Sequence, residues 1–409
     1  MNKEKLLNKN FLIVVIGQLI SIFANSVLRF VLPLYILDKT GSTAVFGSIL
    51  AVAAVPPIFF SPLGGILADR FNRKNIMVVL DFITAAVIAV FSYLLLESSA
   101  VISITILMII FAVIQSIYQP AVQASIPVIT SEDDLEQANG IISLVNAASN
   151  LLGPAAAGIL YAYFSIPEIM YISVICFAGA AVMEIFISMK FKREKVEGSI
   201  RNVIKSDLKI SFNYIIEEKP IMLKAMLITS GMNLFLTSMV LVGLPAMIKI
   251  RLGLSSQHYG YAEALMAGGM IVGGILISSL KNKMRAEDSY KMLVYSSLAL
   301  MPIALAFFFN LSAMNIYYII ILCCFSMMVF ITIFSITMMS FVQRETPDHL
   351  IGKVISYILV LTQLTLPIGQ AVYGIIFEKM ISALSIVVML TGICSLVVAL
   401  YSKTAFSRL

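Results

Sequence analysis

Tryptophan is missing altogether, histidine occurs twice and cysteine four times in 409 residues. Each scarcity removes a class of chemistry. His258 and His349 both fall between apolar runs, too few and too far apart for a His-based catalytic or metal centre. Cys176, Cys323, Cys324 and Cys394 lie inside apolar runs, with neither metal-type spacing nor a disulfide framework. Cys323 and Cys324 point to different helix faces, so all four read as small reduced hydrophobes. No phosphate-cradling glycine loop with its Lys and Ser/Thr is present, which excludes a P-loop nucleotide site. Charge is the largest deficit. Asp, Glu, Lys and Arg make up 12% of the chain, against about 25% in a soluble domain.

What fills the chain is apolar: 60% of residues are hydrophobic, and mean hydropathy is +0.98. No soluble core hides that much apolar surface, but a bilayer does. A helix crosses the hydrocarbon with about 20 apolar residues. Twelve such runs can be drawn, at 11–37, 43–67, 75–96, 101–126, 137–163, 167–189, 221–247, 259–280, 289–309, 314–341, 352–377 and 381–402. Continuous apolar runs of this length do not alternate as barrel strands would. The expected fold class is therefore all-α integral membrane. The first run is too long for a signal-peptide core and lacks a small-residue cleavage site, so it reads as an uncleaved helix.

Orientation follows from the basic residues. Lys3, Lys5, Lys9, Arg70, Arg73, Lys74, the cluster from Lys190 to Lys219, Lys281, Lys283, Arg285, Lys291, Arg344, Lys353, Lys403 and Arg408 fall on one side. Only Lys39, Lys249, Arg251 and Lys379 fall on the other. Both termini are thus expected in the cytoplasm, in the plasma (inner) membrane. The net charge of +6 is accounted for by this topology, and nucleic acid is not an expected partner.

The longest hydrophilic stretch separates the chain into a first six-helix bundle (1–189), a cytoplasmic linker (190–220) and a second bundle (221–409). Within the linker, Ile200, Val203, Ile204, Leu208, Phe212 and Ile215 recur at near-helical spacing, which predicts a surface amphipathic helix over 199–218. The halves echo each other. Gly64-Gly65-Ile66-Leu67 and Gly273-Gly274-Ile275-Leu276 each end a span before a basic loop, 209 residues apart. Gly153 and Gly158 match Gly369 and Gly374, 216 apart.

Gly65-Ile66-Leu67-Ala68-Asp69-Arg70-Phe71-Asn72-Arg73-Lys74 resembles the signature loop of the major facilitator superfamily. Asn72 stands where the family usually has Gly. Asn tolerates the left-handed conformation, so the turn is expected to survive. The resemblance covers the whole chain and implies two pseudo-symmetric six-helix bundles. It assigns a conformational switch to Asp69, Arg70 and Arg73; Gly65 and Lys74 complete the loop, and Asp81, about two turns into the third span, is a further candidate partner for the cations. The alternative is a simple positive-inside anchor. Gly65 is expected to let two helices approach closely. Pro120, Ala121, Ala124, Pro127, Leu135, Ala138, Asn139, Gly153, Pro154 and Gly158 are similar to the macrolide-efflux and enterobactin-exporter branch. Gly153, Pro154 and Gly158 also partly match a drug:proton antiporter motif, with Ser149 and Ala157 replacing two of its glycines. Packing alone would equally suit these small residues.

Cargo or coupling candidates are polar residues inside spans. Gln18, Ser21, Asn25 and Arg29 share one face of the first helix. Arg29 reads either as a site for an anion or a gating ion pair, or as a structural cation paired with a carboxylate or carbonyls. Glu263 reads either as protonatable or as an interfacial charge. Gln115, Gln119, Asn146 and Asn233 are softer candidates, more often glue between helices. Glu184 and Lys224 read as structural. The expectation is a secondary transporter, not an enzyme, exporting amphipathic small molecules by proton-coupled antiport. The alternative is an exporter of a siderophore or other anionic metabolite. Its partners would be a small-molecule substrate, protons and the bilayer, with no cofactor, and the chain is expected to be a monomer.

Overall fold

The computed structural model describes residues 8–94, 100–131, 134–189, 214–279, 286–347 and 350–406. Helix dominates, and no strand occurs among the described residues. The cause is the solvent. Hydrocarbon offers no hydrogen-bond partner, so each crossing segment must satisfy its own backbone.

Helix α1 (Lys9–Thr40) starts where the Asn8 side chain accepts from the Phe11 amide and stops at Gly41 in the left-handed region. Helices α2 (Thr43–Ala54) and α3 (Pro56–Arg70) form one crossing broken at Val55, ahead of a proline that cannot donate to the ladder. Then come α4 (Arg73–Leu94), α5 (Ala100–Ile129), α6 (Leu135–Tyr163) and α7 (Ile166–Ile185), the last opened by a Ser165–Glu168 capping box. The next crossing is composite: α8 (Pro220–Met232), a π turn (Asn233–Thr237), α9 (Ser238–Pro245) and a second π turn (Ala246–Arg251). It is followed by α10 (Ser256–Ser279), α11 (Tyr290–Leu298) with α12 (Leu300–Phe308), and α13 (Ala313–Glu345). Finally come α14 (Ile351–Gln363) with α15 (Thr365–Met380), and α16 (Leu384–Phe406).

Among the described residues, 11 stretches are long and apolar enough to cross a membrane. The last, Tyr357–Phe406, has 50 residues. At 1.5 Å per residue that is far more than a core about 30 Å thick can take. It is interrupted by a 3-10 turn at Ile381–Ala383, so it makes two crossings, and the chain has the expected twelve.

The chain divides into two compact units, Met1–Val196 with Ser255–Ala264, and Glu197–Leu254 with Leu265–Leu409. In the first, α1 packs on α6 and α7, α4 on α5 and α7, and α3 on α5. In the second, α16 packs on α8, α11 and α12, and α9 packs on α15. Most of the proposed amphipathic helix lies outside the described residues; Tyr214–Glu218 form a π turn with Tyr214 and Ile215 buried. There Lys219 pairs with Glu345 at 2.5 Å, and the Tyr214 hydroxyl donates to the Glu345 carbonyl at 2.6 Å. The hydrogen bond to Glu345 pushes the Lys219 ammonium above the usual lysine range.

The internal repeat is a repeat of contacts. Gly64 of α3 lies against Ser116 and Ile117 of α5, where an added Cβ would come 2.9 Å from Ile117 Cα. Gly273 of α10 lies against Val329 and Thr332 of α13, with the Val329 carbonyl at 2.7 Å from the same position. Gly153 of α6 meets Ser26 of α1, and Gly369 of α15 meets Ser238 of α9. Each half therefore uses the same two glycine contacts between corresponding crossings. The glycines next door, Gly65 and Gly274, face open space. The close approach expected of Gly65 belongs to Gly64 instead.

Asn72 also departs from expectation. Among the described non-glycine residues the left-handed one is Asn310. Asn72 instead caps α4, its side-chain oxygen accepting from the Lys74 amide at 3.0 Å. An amide side chain thus starts the next helix where the family glycine would supply a turn.

These contacts separate two adjacent substitutions. Gly64→Ala should destabilise the folded protein by about 1–3 kcal/mol through overpacking against backbone. Gly65→Ala should be neutral or slightly stabilising, because helix propensity favours Ala by roughly 1 kcal/mol. Thermal unfolding of the two variants in one detergent checks this; equal melting temperatures would contradict the contact.

Candidate functional site

The polar stripe of α1 exists, and the fold splits it into two sites. Gln18, Ser21 and Asn25 are buried, whereas Arg29 keeps exposed surface. Gln18 and Ser21 enter a polar network where α1, α4, α5 and α7 meet. The Gln18 amide donates to the Tyr118 hydroxyl at 2.8 Å, and that hydroxyl donates to Glu184 Oε1 at 2.9 Å. The same hydroxyl lies 3.5 Å from Asp81 Oδ2, which accepts from Ser21 at 2.7 Å. A phenol has one hydrogen, and it goes to the nearer Glu184. Asp81 and Tyr118 are each 1% exposed and Glu184 is 0% exposed, so water does not screen them. Gly17 brings α1 close: a Cβ there would sit 3.4 Å from Glu184 Oε1. Gln18 Oε1 and Glu184 Oε2 are buried without a hydrogen-bond partner.

Asp81 therefore faces Ser21 and Tyr118, where the sequence suggested pairing with the loop cations. In that loop, Arg73 Nε donates to the Ala68 carbonyl at 3.1 Å and Arg70 is half-buried. The side chain of Asp69 lies outside the described ones.

The second site gathers at Arg29. Glu263 of α10 belongs to the same unit, and the charges of Arg29 and Glu263 act on each other. Tyr259, one turn before Glu263, donates its hydroxyl to that carboxyl and stacks on Phe30 at 4.6 Å between ring centroids.

Of the other polar candidates, Asn233 ties two helices together. The Asn233 amide, in the first π turn, donates to the Thr362 carbonyl of α14 at 3.0 Å. Asn146 donates to Ile142 of its own helix at 3.0 Å. Gln115 and Gln119 are half-buried on α5. Gly153 meets Ser26, as above, while Gly158 and the Pro154 carbonyl sit against the start of α10, where a Cβ added at Gly260 would come 3.2 Å from Gly158 Cα. All three serve close helix packing. Among the described residues no group of three His, Cys, Asp or Glu could hold a metal ion.

The sequence reading places neither Tyr118 nor Glu184 in a site, and takes Glu184 as structural. One signal was present: Glu184 is an acidic residue in an apolar run. That it meets Asp81 through a phenol on a third helix depends on tertiary approach, which no local pattern reports.

The profile of the Major Facilitator Superfamily matches residues 14–370. Macrolide efflux protein A of Streptococcus pyogenes is 22% identical over 364 residues, 89% of this chain and 88% of its own. The Staphyloferrin A transporter of Staphylococcus aureus is 21% identical over 359 residues, 83% of each. The crystal structure of a bacterial homologue of the iron transporter ferroportin in the inward-facing state superposes with a TM-score of 0.74 at 17% identity. That likeness covers 98% of this chain and 100% of the other, and it concerns the fold. Twelve crossings, a doubled set of glycine contacts and a match over most of the chain lead to one conclusion: this multi-pass membrane protein belongs to the Major Facilitator Superfamily.

Proposed function

We propose that the chain exports amphipathic small molecules by alternating access, in exchange for protons. The observation that carries this reading is a pair of opposite charges, Arg29 of α1 and Glu263 of α10, inside the spans of one unit. Charges at membrane depth are expensive and persist where ions or charged groups are handled. Similarity to a macrolide efflux protein over nearly the whole chain supports export of a large amphipathic cargo. Cation and acid would then divide the work, Arg29 holding an anionic or polar group and Glu263 exchanging a proton. No catalytic step is assigned to any residue.

A second reading is favoured by Arg29 itself. A fixed guanidinium suits an anionic cargo, and one relative is named a Staphyloferrin A transporter. Both readings place the protein in the inner membrane with cytoplasmic termini, as the basic loops indicate.

Transport in cells separates them. Efflux of ethidium, of erythromycin and of 2,3-dihydroxybenzoate would be followed with and without an uncoupler, for the wild type and for Asp69→Asn, Arg29→Ala and Glu263→Gln. Collapse of ethidium or erythromycin efflux by the uncoupler, with a loss of roughly tenfold or more in Asp69→Asn and Glu263→Gln, supports the drug exporter. Movement of the catecholate alone, abolished by Arg29→Ala, replaces it with the anion exporter. No movement of any probe sinks both.

Topology has its own check. Alkaline phosphatase, active only outside the cytoplasm, should be active when inserted at Gly41 and silent when fused to Leu409. The reverse pattern would invert the orientation.

A further inference from the structure

We infer that Asp81, Tyr118 and Glu184 form a proton-holding site inside the first bundle, the place where the exchanged proton resides. The inference rests on the proton-coupled reading above and assigns it a second locus, apart from Arg29 and Glu263.

The geometry supplies the reason. Two carboxyl groups are joined through one phenol, at 2.9 Å and 3.5 Å. Among the described residues, the titratable and polar side chains bonded to them come from four helices. Helix α1 contributes Gln18 and Ser21, α5 contributes Tyr118, α4 contributes Asp81 and α7 contributes Glu184. Among the described residues no cation belongs to this set, and the charges at Asp81 and Glu184 face each other. Two buried negative charges without a counter-ion cannot both persist, and one shared proton resolves the conflict.

The hydrogen-bond pattern leaves room for that proton. Glu184 Oε2 and Gln18 Oε1 are the unpartnered buried atoms of the network. Glu184 Oε2, with no donor bonded to it, is the carboxylate oxygen open to that proton. Uptake adds one proton from water to a carboxylate oxygen, taking the pair from two negative charges to one; release returns it to water. No other bond changes. The Tyr118 hydrogen points at whichever carboxylate stays charged, so one rotation of the hydroxyl can follow the charge from Glu184 to Asp81. Glu184 is the last residue but one of α7. A purely structural role is the alternative, and it would want the polar atoms fully paired.

Infrared difference spectroscopy of the full chain in nanodiscs, between acid and alkaline buffer, reads the carboxylic-acid stretch directly. The expected result is a titrating signal that Glu184→Gln removes and whose midpoint Asp81→Asn moves. A signal unchanged by Glu184→Gln overturns the inference, whatever transport does. If Glu184→Gln does not fold, Tyr118→Phe decides, since it keeps both carboxyls and should shift the midpoint; an unmoved midpoint overturns the proposal. In proteoliposomes, ethidium transport driven by a pH gradient should fall roughly tenfold or more in Glu184→Gln. Wild-type protein indifferent to the pH gradient overturns the antiport reading together with this inference. A wild type that responds and a Glu184→Gln variant that responds equally overturn the inference alone.

Discussion

Hydrocarbon accepts no hydrogen bonds, and the rest of this structure follows from that. Each crossing must be a helix, because only a helix closes its own backbone. Helices in lipid gain little from burying more apolar surface, since lipid tails already solvate it. What holds them together is close approach and shared polar groups. Both devices appear here in pure form. Gly64, Gly153, Gly273 and Gly369 let backbones touch, and Asn233, Tyr118 and Ser238 tie one helix to another.

How far the sequence could be read follows from the same distinction. The spans were legible because length and apolarity are local properties, and the expected run at 43–67 falls within the observed crossing Thr43–Ala68. The doubled glycine pair was legible as a pattern. Which member of the pair makes contact was not, since Gly64 and Gly65 differ only by a rotation about the helix axis. The polar face of α1 was visible, but its fate was not: Gln18 and Ser21 bond to partners on two other helices, while Arg29 is not drawn into that network. Asn72 shows the converse case. A residue that departs from a family pattern was read as a substitute for glycine, whereas its side chain caps the next helix.

Two kinds of intramembrane charge coexist in the first unit, and the physics distinguishes them. Arg29 and Glu263 are of opposite sign, so their mutual attraction offsets part of the desolvation each suffers. Either can remain charged. Asp81 and Glu184 are of like sign, so proximity raises the cost of charging both. The cation eases the charging of its neighbouring acid without fixing it, whereas in the second arrangement each charge opposes the other. A cation beside an acid therefore suits a site that handles a charged group and a proton together, and an acid–acid pair suits storage of a proton.

Storage alone does no transport. A ligand shifts a conformational equilibrium only by its difference in affinity between the two states. For a proton on the Asp81–Glu184 pair, that difference must come from hydration or from the phenol bridge. Each carboxyl hangs on its own helix, α4 and α7, with the bridging phenol on α5. Any rearrangement that parts these helices by an ångström or two breaks the bridge and admits water to an acid placed at the end of α7. Because one pKa unit corresponds to about 1.4 kcal/mol, a difference of two units between states supplies roughly 2.8 kcal/mol of bias. That is enough to invert the ratio of two nearly balanced conformations, so a site of this kind needs no direct contact with cargo to drive its passage.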